Sequence, residues 1–459
     1  MRKLIITALC YFLFIISINA QSKVFYVDLK EGKEIPAQPI LEYTQNSNNE
    51  KAQKIVVYPS IEFQEIEGVG GAFNEIGGLA LMSLPQESRE NVMRNLFSED
   101  GAQFSFSRTA IGASDFGADA YSYSEVAEDY TMEHFSIERE KKSVLPYIKM
   151  AFKYNPKMKL FASPWSPPGW MKSSGIMDQG KNNRDQNKLK DDPKIYKAYA
   201  LYFSKYVNSY ANEGIKIDRI LVQNETDANT NYPSNVMQPA QMYHFIQQYL
   251  RPNFNKNNMN TEIWAGTFRT HGALDALEFA NTEGYLNAVD GIGLQYTNTN
   301  YLKDLSFLAK GTPTMHTEGV CYNGKNNMEQ AYNRLGEIAS YINFGVPNYC
   351  YWNMILDETG KSGWNWKQNS LINIDRKNQT VTYNPDYAVI ALLSKYMQPG
   401  SKRIASFSKE TLISIKKEGK VYLFVQNNSD TEKSYECIEA GKTVATATIP
   451  SKSVAVIVY

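Results

Sequence analysis

Residues 217–225 read IDRILVQNE, and this stretch decides the fold. Ile217, Ile220, Leu221 and Val222 form an apolar run that reads as a buried strand. The run delivers an amide, Asn224, and a carboxyl, Glu225, at its C-terminal end. Residues 312–319, TPTMHTEG, end the same way at Glu318. Two acids at the carboxyl ends of two strands, in a chain that alternates strands with helices, point to a barrel enzyme with paired carboxylates.

Working outward, strand-like segments are expected at 66–72, 104–111, 159–164, 217–224, 262–267, 290–296, 313–318 and 347–353. Helical segments separate them, so the expected class is α/β, a (β/α)8 TIM barrel, over 66–397. One helix can be read closely. Asp192 can cap it, Pro193 suits its first turn and Gly214 can end it. Between them Ile195, Tyr199, Phe203, Tyr206, Val207 and Tyr210 recur at spacings of three and four, an apolar stripe for the barrel wall. Residues 171–192, rich in Lys, Asn, Asp and Gln, read as a long polar loop on the face that carries the acids. Residues 21–65 and 398–459 instead alternate apolar and polar residues (KVFYVDL, KIVVYP; RIASFS, LISIKK, KVYLFVQN, TVATATIP, SVAVIVY). The expectation is an attached β-sandwich built from five C-terminal strands and completed by the N-terminal ones.

Composition narrows the function. Lys+Arg and Asp+Glu both number 48, so no net field favours nucleic acid or an anionic membrane, and a neutral substrate is expected. The first twenty residues, MRKLIITALCYFLFIISINA, have a basic start, an apolar run and a small residue at Ala20. They read as a signal peptide cut near Ala20, which predicts an exported protein, periplasmic or extracellular, with no membrane span after cleavage. Cys321, Cys350 and Cys437, the cysteines beyond that segment, are too few and odd in number for a disulfide framework. The 31 tyrosines suit sugar stacking, but most rings of this kind simply pack cores.

Hydrolysis of a glycoside with retention needs two carboxyls about 5–5.5 Å apart, one as nucleophile and one as acid and then base. Glu225 and Glu318, on the fourth and seventh strands, can face each other across a barrel mouth. Asn224, beside the acid, can bond a sugar 2-hydroxyl. Other signals are weaker. His316 and Glu318 with Cys321 lack the second Cys pair of a zinc deaminase, so no metal is expected. The glycines of GVGGAF lack the spacing of a dinucleotide site, so no cofactor is expected. Asn224-Glu225-Thr226 matches a glycosylation acceptor, but a glycan there would block the acids. His134, His244 and His271 show no ligand spacing and read as structural.

At this point the chain resembles a known family. GVGGAFNE (68–75), SRTAIGASDF (107–116), SPWSPPGWMK (163–172), VQNETDAN (222–229), MHTEG (315–319) and YWNMILDETGKSGWNW (351–366) are similar, in order, to motifs of glycoside hydrolase family 30. That family includes glucosylceramidases and β-1,6-glucanases. The resemblance implies double displacement, with Glu225 as acid/base, Glu318 as nucleophile and Asn224 on the 2-hydroxyl. It implies that Arg108 holds the nucleophile, that Asp115 and Trp165 bind the far edge of the sugar, and that Trp352 forms its floor. Read alone, Arg108 and Asp115 would be an ordinary salt bridge and the two tryptophans core. Two departures stand out. Thr226 follows the acid where the family commonly has Pro, and Gln295-Tyr296-Thr297 replaces a His-Trp-Tyr run, so Tyr296 is expected only as a further sugar-site residue.

The substrate expected from this reading is a neutral β-glucan or β-glucoside, with endo-β-1,6-glucanase action favoured. A glucosylceramidase-type β-glucosidase, or a β-xylosidase or β-fucosidase of the same family, is the alternative. A different class, a carbohydrate-binding protein on a dead glycosidase scaffold, would need none of the acid–base machinery.

Overall fold

A computed structural model of the chain describes residues 22–44, 52–269, 274–309, 311–321, 323–410 and 412–459. The expected signal segment and His271 lie outside the described residues. No helix among the described residues is long and apolar enough to cross a membrane.

Eight parallel strands form the barrel: Gly68–Phe73 (β1), Phe106–Ala110 (β2), Lys159–Ser163 (β3), Arg219–Leu221 (β4), Glu262–Phe268 (β5), Gly291–Gln295 (β6), Thr314–Glu318 (β7) and Asn348–Asn353 (β8). Each falls on an expected segment. β4 is shorter than expected because its chain leaves the ladder early. The Gln223 N–H donates to Gly266 O at 3.0 Å and the Asn224 N–H to Pro164 O at 2.8 Å. The helix Pro193–Asn212 starts as expected: the Asp192 carboxylate accepts from the Lys194 N–H at 2.7 Å, and its apolar stripe is buried.

The barrel closes between β7 and β8 through the Gly319 N–H, which donates to Cys350 O at 2.8 Å, and through side chains. The His316 N–H donates to Asn348 Oδ1 at 2.8 Å, and His316 Nδ1 accepts from the Cys350 N–H at 3.2 Å. The His316 ring stacks on Tyr349, with centroids 4.3 Å apart. Burial, with Arg334 and Arg108 nearby, holds this imidazole well below its usual range, so it stays neutral and can accept.

The inside of the barrel is layered. Phe106, Phe161 and Trp264 fill its middle, and Gly291 leaves the room that the indole takes: a Cβ there would meet the ring at 2.3 Å. Below them, at the N-terminal end, Arg219 donates to Glu67 and Glu262 and lies 4.5 Å from the Trp264 ring. Glu67 also accepts from Lys159 at 2.9 Å and Asn348 at 2.8 Å.

The flanking strands from both chain ends come together in an attached β unit, as expected. They make one continuous mixed sheet, ordered Lys442–Ile449, Lys433–Glu439, Gln53–Glu65, Lys402–Phe407, Leu412–Lys417, Lys420–Asn427, Ser453–Val458, Lys23–Asp28 and Leu41–Tyr43. Val24 and Ile457 from one end share a core with Cys437 and Ala447 from the other, so the sheet curls over itself. Its other face, through Ile413, Ile415, Phe424 and Val456, joins the main core of the barrel. Among the described residues six strands, not five, follow residue 398, and a small sheet of Ile355–Asp357, Ile372–Asp375 and Thr380–Tyr383 is additional to the expected elements. Cys321, Cys350 and Cys437 are free thiols.

Burial alone would raise the Glu67 carboxyl, but Arg219 and Lys159 outweigh it and hold the group down at about 2. A carboxyl depressed on folding contributes stability above its unfolded value and loses it as pH falls through the folded one. Glu67→Gln should therefore lower the unfolding free energy at pH 7 by about 3 kcal/mol. The gap from the parent should shrink between about pH 4.5 and 2. Urea unfolding at several pH values measures it, and a gap that does not change with pH would refute the account.

Candidate active site

The C-terminal ends of the barrel strands open onto a cavity of ≈ 670 Å³. Asp115, Trp165, Asn224, Glu225, Tyr296 and Glu318 line it, and the more exposed Tyr232, Arg269, Asn298 and Trp366 stand at its rim. A cavity at the opposite end of the barrel includes Glu67 and Lys159, but these are already engaged with each other and with Arg219.

Arg108, at the centre of β2, is wholly buried and ties the site together. Nη1 donates to Glu318 Oε2 at 2.6 Å and to the Thr317 carbonyl at 3.2 Å. Nη2 donates to Ser163 Oγ and to Asn224 Oδ1, each at 2.7 Å. The guanidinium carbon lies 4.4 Å from the Trp165 ring centroid, a cation–π contact. The other Glu318 oxygen, Oε1, accepts from the Tyr296 hydroxyl. Thus both oxygens of this carboxylate are held before any ligand arrives.

Glu225 is held differently. Its N–H donates to Thr267 Oγ1 at 3.0 Å, and its φ of 46° is left-handed backbone. Tyr296, with φ 51°, shares that unusual conformation. Strain of this kind persists only where surroundings enforce it, and it clusters at functional sites. Glu225 Oε1 accepts from Gln295 Nε2 at 3.2 Å, and Oε2 pairs with Arg269 Nη1 at 2.8 Å. Gln295 is fixed in turn, because its Oε1 accepts from Thr317 Oγ1 at 2.8 Å.

Asp115 lies deep in the cavity, and its Oδ1 has no hydrogen-bond partner. Burial pushes its carboxyl well above the ordinary range, and the charges of Glu318 and Glu225 add to the rise. The Trp352 indole and Arg108 oppose it, although the indole N–H makes no hydrogen bond of ordinary geometry. Trp352 differs from the expected floor: it is fully buried, stacked behind Trp165 with centroids 5.0 Å apart, and supports the surface from beneath. The rim over Asp115 is locked by the Gly363 N–H donating to Gly117 O, where a Cβ on Gly363 would meet Ala118 O at 1.9 Å.

Burial also raises the Glu318 carboxyl, and the Glu225 charge adds to this; Arg108 and the Tyr296 hydroxyl pull it back towards the ionised form. The net direction is upward, to about 7.

The structure brings Asn224, Arg108, Tyr296, Glu225 and Glu318 into one connected network. Sequence reading missed Gln295 and Arg269. Arg269 carried a signal, a cation one residue beyond the end of a barrel strand. Gln295 stood out only as a departure from the family run, since only the fold brings it to Glu225. His316 and Cys321 do not form a metal site, and among the described residues no group of three His, Cys, Asp or Glu side chains is placed to hold an ion.

Comparison with known proteins bears on this geometry. The family described as "Glycosyl hydrolase family 30 TIM-barrel domain" matches residues 66–265. The lysosomal acid glucosylceramidase of Mus musculus is 25% identical over 419 residues, 82% of this chain and 78% of its own. The endo-1,6-beta-D-glucanase neg1 of Aspergillus fumigatus is 30% identical over 215 residues, 44% of this chain and 43% of its own. Among solved structures, SrfJ from Salmonella typhimurium superposes with a TM-score of 0.84 at 22% identity, over 95% of this chain and 99% of that one. The endo-beta1,6-glucanase BT3312 does so with a TM-score of 0.79 at 22% identity, over 96% and 99%. At such identities the two structures speak for the fold.

Proposed function

We propose that this chain, which belongs to glycoside hydrolase family 30 and is an O-glycosyl hydrolase of a retaining β-glycosidase family, uses Glu318 as nucleophile and Glu225 as acid/base on a β-glucan of β-1,6 type. The observation that carries the assignment is what holds each acid: Glu318 is paired with the wholly buried Arg108, Glu225 with Gln295 and the partly exposed Arg269. Glu318 is gripped at both oxygens by Arg108 and Tyr296, as a nucleophile that must attack from one direction requires. Glu225 sits at the rim side, beside Tyr232 and Arg269, where a leaving group would depart.

In the first step a Glu318 oxygen attacks the anomeric carbon as the bond to the leaving oxygen breaks, and Glu225 gives that oxygen its proton. In the second, water attacks the same carbon, Glu225 takes the proton from water, and Glu318 is released as carboxylate. Asn224, oriented by Arg108 and Thr267, keeps its amide N–H groups for the sugar, because its Oδ1 already accepts. Asp115 meets the far hydroxyls. Export through the N-terminal segment is part of the proposal, since a polymeric glucan lies outside the cell.

Polar and aromatic groups at the mouth, Asn298, Arg269, Tyr232 and Trp366, favour a sugar over a lipid on the leaving side. The extent of the mouse glucosylceramidase match favours a second reading, a glucosylceramidase-type β-glucosidase. Product profiles on pustulan, laminarin, xylan and glucosylceramide separate them. Internal cleavage of pustulan is expected, and release of glucose from glucosylceramide alone would reverse the choice.

If Glu318 is the nucleophile, Glu318→Gln should lose nearly all turnover while still binding sugar, and a 2-fluoro-glucoside should label Glu318 covalently in the parent. Because this carboxyl must be ionised to attack and is raised towards neutrality, the acid limb of kcat/KM should lie above the usual carboxylate range. Tyr296→Phe should move it higher by removing a donor to the charged form. Peptide mapping that finds the label on another residue would end the assignment.

Protonating the departing oxygen matters greatly for a sugar alkoxide and little for dinitrophenolate. Glu225→Gln should slow glucan hydrolysis by about 10²–10⁴-fold and nearly spare glycosylation by a dinitrophenyl glucoside. Azide should then restore turnover, yielding the β-glucosyl azide, and the alkaline limb of the pH profile should vanish. Equal slowing of both substrates, with no response to azide, would make Glu225 structural.

A further inference from the structure

Gln295, the last residue of β6, is wholly buried between the nucleophile's strand and the acid. The orientation of its amide follows from Arg108. A guanidinium can only donate, so the Asn224 atom that meets Arg108 Nη2 at 2.7 Å is its oxygen, Oδ1. The Thr267 hydroxyl donates to the same oxygen at 3.1 Å. Gln295 faces that oxygen at 3.5 Å and Glu225 Oε1 at 3.2 Å. The group it presents there is its NH2, because a carbonyl turned that way would oppose two acceptors in a site without access to water. The Gln295 carbonyl is thereby left to Thr317, whose hydroxyl reaches it at 2.8 Å. Thr317 precedes Glu318 on β7, so one amide ties the acid's carboxyl to the residue beside the nucleophile.

The two contacts of that NH2 do not matter equally. Asn224 Oδ1 keeps two shorter donors, Arg108 and Thr267, whether or not Gln295 is present. Glu225 is held less securely. Its Oε2 meets Arg269, whose side chain is 19% exposed at the rim and is shared with Asp227. Of these two contacts, only the amide lies out of reach of solvent. An amide N–H donates to a carboxylate and equally to the carbonyl oxygen of a protonated carboxyl. The hold therefore does not depend on which form Glu225 is in.

We propose that Gln295 is a positioning residue for Glu225: it fixes the acid's carboxyl relative to the nucleophile's strand, so that the same group meets first the leaving oxygen and then the attacking water. The proposal rests on the reading of Glu225 as acid/base and adds to it the side chain that sets its aim. Retention needs the two carboxyls at a fixed separation. The chain Thr317–Gln295–Glu225 crosses between them with buried side chains only. Without the amide, the carboxyl turns towards Arg269 and away from the leaving oxygen.

The test is leaving-group dependence. Gln295→Met keeps the length of the side chain and removes the donor. It should lower kcat/KM on an alkyl β-glucoside by about 10–100-fold, a part of what a general acid supplies, and nearly spare glycosylation by a dinitrophenyl glucoside. Deglycosylation should also slow, because the same carboxyl draws the proton from water, and azide should restore turnover in part. Thr317→Val leaves Gln295 in place but removes the hydroxyl that orients it. This variant should show the same pattern at smaller size, and Thr317→Ser, which keeps the hydroxyl, should recover most of the loss. A merely loosened pocket would slow both substrates alike and ignore azide. Equal slowing of both substrates in Gln295→Met, or parent rates on both, overturns the proposal, and the acid assignment stands if Glu225→Gln still discriminates between them. If Gln295→Met fails to fold, the two Thr317 variants decide in the same way. A Glu225→Gln variant that does not discriminate overturns both readings.

Discussion

A guanidinium with no access to water must find its partners inside the protein, and this requirement at Arg108 organises the site. Its two terminal nitrogens reach β3 through Ser163, the end of β4 through Asn224, and β7 through Glu318 and the Thr317 carbonyl. Four strands are thereby held in register at the end where chemistry occurs. The cost of leaving such a group unpaired, several kcal/mol, is large against the whole stability of a domain. The carboxylate of Glu318 is as much a structural partner as a reacting group. Trp165 covers the flat face of the same cation, and Trp352 backs Trp165, so the sugar-facing surface is itself built on the ion pair.

The barrel repeats this device at its other end with the opposite emphasis. Arg219 and Glu67 form an ion pair that closes the floor, and the aromatic layer of Phe106, Phe161 and Trp264 separates it from Arg108. Both arginines lie against that layer, Arg219 on Trp264 and Phe106, Arg108 on Phe161. The apolar middle keeps water from joining the two polar ends. Charges at the upper end thus act in a medium of low polarity, where a nearby ion shifts a carboxyl strongly.

Much of this was legible in the chain because the signals are local. A buried parallel strand needs a short apolar run, and the eight runs were present in order. The Asp192 cap and the stripe from Ile195 to Tyr210 marked one helix, and Asn224-Glu225 marked a strand end. What escaped reading depends on contacts distant in sequence. The strand Lys433–Glu439 hides its inward Tyr435 and Cys437 among charged residues and is recognisable only once Gln53–Glu65 lies beside it. That the attached β unit is one curled sheet depends on Lys402–Phe407, which pairs with a strand on each side. Gln295 reads as an oddity in its own segment and acquires meaning only from Glu225, seventy positions earlier in the chain. Arg269 could be seen as a cation near a strand end, but its two carboxylate partners could not.

The pairing of the Lys23–Asp28 strand with Ser453–Val458 has a consequence for how the molecule is made. These strands are separated by almost the whole chain, so their ladder carries the largest loop-closure penalty in the fold. During synthesis the barrel segments emerge and can assemble while the early strand still presents an open edge. Its neighbour on that side, Ser453–Val458, is made only after the barrel. Until then that edge is open to pairing with other extended chains. The curled sheet therefore closes only after every barrel segment between its two partner strands has been made.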